Sequence, residues 1–328
     1  MKTLRCICAL LISVSVIFTV FFGAGKISEQ TPIKKAEGYK GVITLWQVDG
    51  FEGGKGSRKQ FLLKVARAFE RQNQGVLIMV VNQTYTSVKE NFSKGIYPDL
   101  LSFCGGVELK TPFEIKVSRA TSGGKIGEKT YATPWCRGGY ALISNPDIND
   151  NQTDQTIIVS QSEYTNPLTA ILLEEYDFKE YIVLKPMDAY VKFTQGKIKY
   201  FLGTQRDLTR LSNRGMEVES TPLTKFNDLY QYVALTGNDQ EKKVYAQRFI
   251  EYLISDQVQS QLVSINMFSP FSNLSFTDEN LNAMQSVSDF RTLSVFESPD
   301  YLKELQRISL SALSGNQNYI NKIKNMLV

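Results

Sequence analysis

The sequence predicts an α/β protein built on mostly parallel sheets flanked by helices. Three observations carry that expectation. Residues 42–103 alternate β-branched runs with amphipathic stretches in the order strand, helix, strand, helix, strand, the pattern of βαβ units. The chain has 328 residues, 42% of them hydrophobic, which is enough for two domains with buried cores and no covalent staples. Lastly, the stretch Tyr131-Ala132-Thr133-Pro134-Trp135-Cys136, Gly138-Gly139-Tyr140 reads as a strand interrupted by one Pro and two Gly. Such a strand bends, as expected where the chain crosses between two lobes.

Composition excludes whole classes of function. The chain contains no histidine, which removes Ser-His-Asp and Cys-His nucleophile systems, the common His-ligated zinc sites and the usual neutral-pH proton shuttle. Only carboxylate-based enzymes survive that filter. Lys+Arg number 37 against 33 Asp+Glu, a formal charge of +4, with no basic block of the kind that binds nucleic acid. No cofactor or metal site is expected.

Residues 1–25 read as a secretion signal. Lys2 and Arg5 precede an uncharged apolar run over residues 7–22, and Gly23-Ala24-Gly25 supplies the small residues a signal peptidase needs. The run lies near the ~18-residue lower limit of a spanning helix, so an uncleaved anchor is the rival reading. Cys6 and Cys8 fall too early for lipid attachment. Residues 26–40 are polar, contain Pro32 and read as a tether. The expected location is therefore outside the cell membrane, at the cell surface or in the periplasm.

Val42-Ile43-Thr44-Leu45-Trp46 is a buried-strand run. A loop with Gly50, Gly53, Gly54 and Gly56 follows, and Ser57 is placed to cap a helix whose apolar face is Phe61, Leu62, Val65, Ala66 and Phe69. The loop is no Walker motif: three residues, not four, separate Gly50 from Gly54-Lys55, and Gly56 stands where Ser or Thr is required. A second strand over 76–81, a short helix over 87–94 and Asp99-Leu100-Leu101-Ser102-Phe103 complete the unit. Ligands in open α/β sheets bind beyond the C-terminal strand ends, here residues 46–52, 82–85 and 103–106. Further strands are expected over 156–160 and 200–203, with helices over 168–175, 207–211, 246–253 and 299–313.

Beyond residue 25 only Cys104 and Cys136 remain. Outside the reducing cytosol they are free to pair. A bond closing that 32-residue loop contributes roughly 3–4 kcal/mol in the chain-entropy view. Two buried thiols are the alternative.

Several ordered motifs resemble one family. These are Phe69-Glu70-Arg71-Gln72-Asn73-Gln74-Gly75-Val76 after the first strand, Pro98-Asp99-Leu100-Leu101 at the third, and Tyr131-Ala132-Thr133-Pro134-Trp135 with Leu142-Ile143-Ser144-Asn145 at the crossover. Phe193-Thr194-Gln195-Gly196-Lys197 and Asn266-Met267-Phe268-Ser269-Pro270 follow in the same order. Together the chain resembles the extracellular solute-binding proteins of ATP-driven (ABC) importers, in particular the sugar and maltodextrin binders. The resemblance spans residues 40–275. It implies a two-lobed periplasmic-binding-protein-like fold joined by hinge strands. Residues 40–136 plus 230–273 would form lobe one, and 137–229 plus 274–328 lobe two. It also implies a non-enzymatic, monomeric, membrane-proximal protein that closes on a small organic solute, foremost a carbohydrate, and hands it to a transporter permease. The chain lacks the family's lipid-attachment Cys and carries the unusual Cys104 and Cys136.

Sugar recognition needs aromatic platforms and fixed polar groups. Candidates from lobe one are Trp46, Asp49, Glu52, Tyr85 and Phe103. Trp135 and Arg137 stand at the crossing, and Gln205 and Arg206 follow the strand ending at Gly203. Each also has a plain structural reading, as core or solvated loop. Two rival functions remain: a surface sensor for a membrane kinase or chemoreceptor, and a carboxylate-only glycoside hydrolase. Against the latter, Asp49 and Glu52 share one short loop and cannot flank a bond from opposite sides.

Overall fold

The computed structural model describes residues 39–110, 112–148 and 155–327. The expected signal segment and residues 26–38 of the tether lie outside them. Among the described residues no helix is long and apolar enough to cross a membrane.

The chain begins β1 (Gly41–Val48), α1 (Arg58–Gln72), β2 (Val76–Gln83), α2 (Tyr85–Ser93), β3 (Leu100–Phe103). A 3-10 turn (Ser122–Gly124) and the hairpin β4 (Lys125–Ile126) and β5 (Lys129–Thr130) lead into β6 (Ala132–Arg137). Next come β7 (Tyr140–Ser144), β8 (Thr156–Ser160), α3 (Pro167–Leu173), β9 (Glu180–Leu184) and α4 (Pro186–Thr194). They are followed by β10 (Tyr200–Thr204), α5 (Gln205–Asn213), β11 (Glu219–Pro222) and β12 (Tyr230–Leu235). The remainder is helical: α6 (Gln240–Leu253), α7 (Asp256–Gln259), a 3-10 segment (Ser260–Ile265), α8 (Glu279–Ser286), α9 (Pro299–Ala312) and α10 (Gln317–Asn325).

Two five-stranded sheets result, ordered β2-β1-β3-β12-β6 and β11-β7-β10-β8-β9. In the first, β1 runs parallel to β2 and β3, and β12 runs antiparallel to both of its neighbours. In the second, β8 is parallel to β9 and β10, and β7 is antiparallel to both of its neighbours. Each sheet is therefore parallel but for one strand, the α/β architecture that the alternating pattern predicts.

Local chemistry explains the elements. The Ser57 hydroxyl caps α1 by accepting from Gln60 N, and the helix buries Phe61, Leu62, Val65, Ala66 and Phe69 as its spacing predicts. Phe69 meets Phe249 of α6 edge-on, ring centroids 5.3 Å apart. Burying each such side chain contributes about 1.5–3 kcal/mol. In the second body α3 packs on β8 and α9 packs on α3, where Thr169 and Ser309 share a buried hydroxyl hydrogen bond of 2.8 Å.

The chain passes between the sheets at Gly138-Gly139, linking β6 to β7, and again over 223–229, linking β11 to β12. A third strand-like contact joins them, with Arg137 N–H and Phe268 N–H each donating to the other's carbonyl at 2.9 Å. Gly138 packs so closely on the Gln205 amide that an added Cβ would lie 2.8 Å from it.

Cys104 and Cys136 are free, buried thiols, so the disulfide considered from the sequence is not formed. Register gives the reason. Cys136 pairs across β6–β12 with Gln231, and the Cys104 thiol donates to that same Gln231 side chain from the β3 side at 3.0 Å. One strand stands between the two cysteines. Two inter-strand spacings of ~4.8 Å exceed the ~7 Å Cα limit for a disulfide. Burial pushes the Cys104 thiol up to about 12 and raises Cys136 likewise. Both thiols should therefore resist alkylation at pH 8 in the native protein and react fully in denaturant. Rapid native alkylation, or a melting temperature lowered by reductant, would contradict this arrangement.

Candidate ligand cleft

The C-terminal strand ends of the two sheets face each other. From the first sheet come the β1–α1 loop, the start of α2 and the turn after β3. From the second come the loop after β8 and the start of α5. Four contacts bridge them. Glu52 takes a two-pronged hydrogen bond from the Arg210 guanidinium, at 2.7 and 2.8 Å. Arg206 Nη1 donates to Gly54 O at 2.7 Å. The Ser162 hydroxyl donates to Gly50 O at 3.4 Å, and the rings of Tyr85 and Tyr164 stack 4.0 Å apart. The last two contacts form a waist that divides the cleft.

On one side of the waist lies a trough of about 660 Å³. Its aromatic wall is Tyr85, Phe92, Tyr97 and Tyr164. Buried Trp46 backs Phe92 at 6.3 Å, nearly parallel, and Phe92 in turn stacks on Tyr97 at 4.7 Å. This ladder of rings carries rigidity from the core out to an exposed tyrosine. Tyr85 OH donates to Gly105 O at 2.9 Å, and burial raises its pKa well above the ordinary tyrosine value. Lys89, Glu108, Lys110, Glu163, Asp300 and Lys303 supply polar groups around the same trough. Flat rings edged by charged hydrogen-bonding groups suit a solute with apolar faces and many hydroxyls.

On the other side lies a polar basin of about 460 Å³, lined by Asp49, Glu52, Ser57, Arg58, Ser162 and Arg206 among others. Arg58 is only 5% exposed. Its Nε meets Asp49 at 2.7 Å, its Nη2 donates to Phe51 O, and its guanidinium lies 4.3 Å from the Phe51 ring centre. Beneath the Glu52–Arg210 pair sits Asp207, fully buried, which accepts from Thr204 N at 2.9 Å and completes the capping box of α5. Burial holds its pKa up at about 6.

The structure brings Asp49, Glu52 and Arg206 to the basin and Tyr85 to the trough. It gives the other sequence candidates different work, and none of them lines either part of the cleft. Trp46 and Phe103 belong to the core under the trough. Trp135 is wholly buried, stacked 5.7 Å from Phe61 with its indole N–H donating to Ser102. Arg137 lies between Phe268 and Phe290, 5.2 and 5.3 Å from their ring centres, and donates to the carbonyls of Gln285 and Val287 at the C-terminus of α8. Burial draws its pKa down to about 10. Gln205 accepts from Gly139 N at 3.0 Å and holds the crossing. Phe92, Tyr97 and Tyr164 are cleft residues that sequence reasoning did not reach. Tyr164 was within reach, since it follows the C-terminal end of the strand expected over 156–160.

No family profile and no curated protein sequence matches the chain. Solved structures do. The GacH receptor of Streptomyces glaucescens GLA.O, determined unliganded and with acarbose, is similar with a TM-score of 0.56 at 13% identity, over 88% of this chain and 99% of that one. The ABC substrate-binding protein Lmo0181 from Listeria monocytogenes, in complex with cycloalternan, is similar with a TM-score of 0.55 at 12% identity, over the same shares. At this identity the likeness is one of fold, and the fold is two-lobed and periplasmic-binding-protein-like.

Asp207 makes the stability of this region pH-dependent. An unfolded aspartate titrates near 3.9, so the folded form binds more protons between about pH 4 and 6. Its contribution is complete below that window and is lost as pH rises through 6. Relative to Asp207→Asn, the wild type should lose about 2 kcal/mol between pH 4 and 7, read from urea unfolding. A pH-independent difference between the two proteins would refute it.

Proposed function

We propose that this chain is an extracellular solute-binding protein that captures a small organic solute, foremost a carbohydrate, between its lobes and delivers it to an ABC transporter permease. The observation that carries the reading is the aromatic trough at the facing C-terminal strand ends of two α/β lobes. The sugar ligands present in the similar structures, acarbose and cycloalternan, support a carbohydrate. The expected signal segment supports export, with a membrane-proximal monomer as the working form.

The mechanism is two-state closure. A ligand that touches both lobes binds the closed form better than the open one and shifts the population by that difference in affinity. Tyr85 and Tyr164, stacked on each other across the cleft, would flank a sugar ring lying in the trough, and the Glu52–Arg210 and Arg206–Gly54 contacts would hold the closed shape that a permease reads. No bond is made or broken. A hydrolase reading is disfavoured by the engagement of both basin carboxylates, Asp49 by Arg58 and Glu52 by Arg210.

Thermal shift with mono- and oligosaccharides, amino acids, peptides and polyamines tests the proposal. A carbohydrate at 100 times its Kd should stabilise by about 2.7 kcal/mol. Tyr164→Ala should weaken the best saccharide by about tenfold to a hundredfold, roughly 1.4–2.8 kcal/mol, measured by calorimetry. Saccharides that leave the melting point unmoved while another class raises it would reassign the solute. A flat response to every class would sink the capture role.

A further inference from the structure

Tyr164 is the aromatic residue that the second lobe contributes to the trough wall, and its ring has little room. It stacks on Tyr85 at 4.0 Å, and the turn after β3 presses on it as well: a Cβ added at Gly106, whose φ is +89°, would stand 2.7 Å from the ring. A ring so confined needs its backbone held in place. Yet Tyr164 lies in the loop between β8 and α3, with no ladder or helix of its own to hold it.

That loop is gripped from two sides. From α9, Gln306 Nε2 donates to the carbonyls of Ser162, Glu163 and Thr165, at 3.4, 3.1 and 2.9 Å. From the crossing, Asp228 Oδ2 accepts from both the backbone N–H and the side-chain Nδ2 of Asn166 at 2.9 Å, while its Oδ1 accepts from Tyr140 OH at 2.7 Å. Asn166 stands at the N-cap of α3, where asparagine ordinarily accepts from the first turn. Here its side chain makes no capping bond, and its Oδ1 is buried without a hydrogen-bond partner among the described residues. A helix cap is given up and an acceptor left unmet while the amide is turned to Asp228. Asp228 is fully buried, stands two residues before β12, and shares with Tyr164 the lining of a cavity of about 20 Å³.

We propose that Asp228 is a positioning residue of the ligand cleft: from the crossing it fixes where the loop over 161–166 presents Tyr164 to Tyr85, so that the trough wall is set by the hinge rather than by the loop itself. The inference rests on the capture reading above and adds the residue that prepares the wall. A wall fixed in advance does not have to be ordered by the ligand. Loss of Asp228 therefore weakens binding through Tyr164.

Fluorine NMR of protein labelled with 3-fluorotyrosine tests the placement without any ligand, with Tyr164→Phe assigning the Tyr164 signal. Asp228→Ala should displace and broaden that signal. Asn166→Ala, the milder change, removes one of the two bonds to the loop and should move the signal part of the way. Asp228→Asn, whose oxygen still accepts from Asn166, should bring it back. Phe249→Leu, a destabilising change in the buried core of lobe one, should leave it in place. Calorimetry with acarbose as the probe reads the consequence: Asp228→Ala should weaken binding at least tenfold, but less than twofold when Tyr164 is already alanine. A signal unmoved by Asp228→Ala and Asn166→Ala, one moved equally by Phe249→Leu, or an equal loss of acarbose affinity in both backgrounds would overturn the positioning role while leaving capture standing. A displaced signal with no acarbose bound by the wild type would instead retain the positioning role and count against the carbohydrate reading alone.

Discussion

Everything in this molecule depends on carrying polypeptide through a buried crossing between two sheets. Backbone leaving a ladder loses its hydrogen-bond partners, and a buried amide without one is costly. Here side-chain amides take the place of the missing strand. Gln205 accepts from Gly139 N, while Asn227 donates to Gly138 O and accepts from Leu229 N. Gln259 donates to Trp135 O, Gln231 donates to Val48 O, and Gln285 accepts from Ser269 N. All five are buried. Arg137 completes the set by binding the terminal carbonyls of α8 between two phenylalanine rings. Paired with backbone carbonyls rather than a carboxylate, it fastens α8 to the crossing by direction as well as by charge.

The crossing is thus far more heavily bonded than the rim of the cleft. At the rim the described residues of the two lobes meet through one half-exposed ion pair, one arginine–carbonyl bond, one amide–hydroxyl bond from Asn266 to Thr209, one long hydroxyl contact and one stacked pair of tyrosines. Exposed or half-exposed ion pairs contribute at most about 1 kcal/mol, and an aromatic pair about 0.5–1.5 kcal/mol beyond its buried area. Contacts of that size leave opening within reach, so a ligand's own contacts with both sides can set the balance. Strong floor and weak rim are what the proposed closure on a ligand requires.

The fold was legible because its signals are local. β1 and β2 announce themselves as apolar runs, α1 by a cap and a five-residue stripe, and the crossover by Pro134, Gly138 and Gly139. The site was only half legible, for a physical reason. An aromatic residue at a strand end looks the same whether it faces ligand or core. Trp46 and Trp135 are the clearest signals in the sequence, yet both are buried, and Trp46 reaches the cleft only through Phe92. The wall of the candidate cleft uses Tyr97 and Tyr164, loop residues with no periodic signature. Cys104 and Cys136 show the same limit: their spacing permitted a bond, and only the register of β12 between them forbids it.

One loop, residues 49–58, links the floor, the rim and the basin. Asp49 ties it inward to Arg58, Glu52 ties it across the cleft to Arg210, and Gly54 O receives Arg206. Behind Arg210 lies Asp207, 3.6 Å away, its charge disfavoured by burial. Arg210 therefore faces two carboxylates at unequal cost: Glu52, which crosses the cleft and stays half-hydrated, and Asp207, which never leaves α5. In the proposed opening, Glu52 would regain water and Arg210 would keep Asp207. The cross-cleft pair therefore has an alternative partner waiting on one side, which lowers the free energy of opening relative to an isolated pair of the same geometry. A buried carboxylate that weakens its own lobe is thereby placed where, in the proposed mechanism, it would ease release of the opposite one.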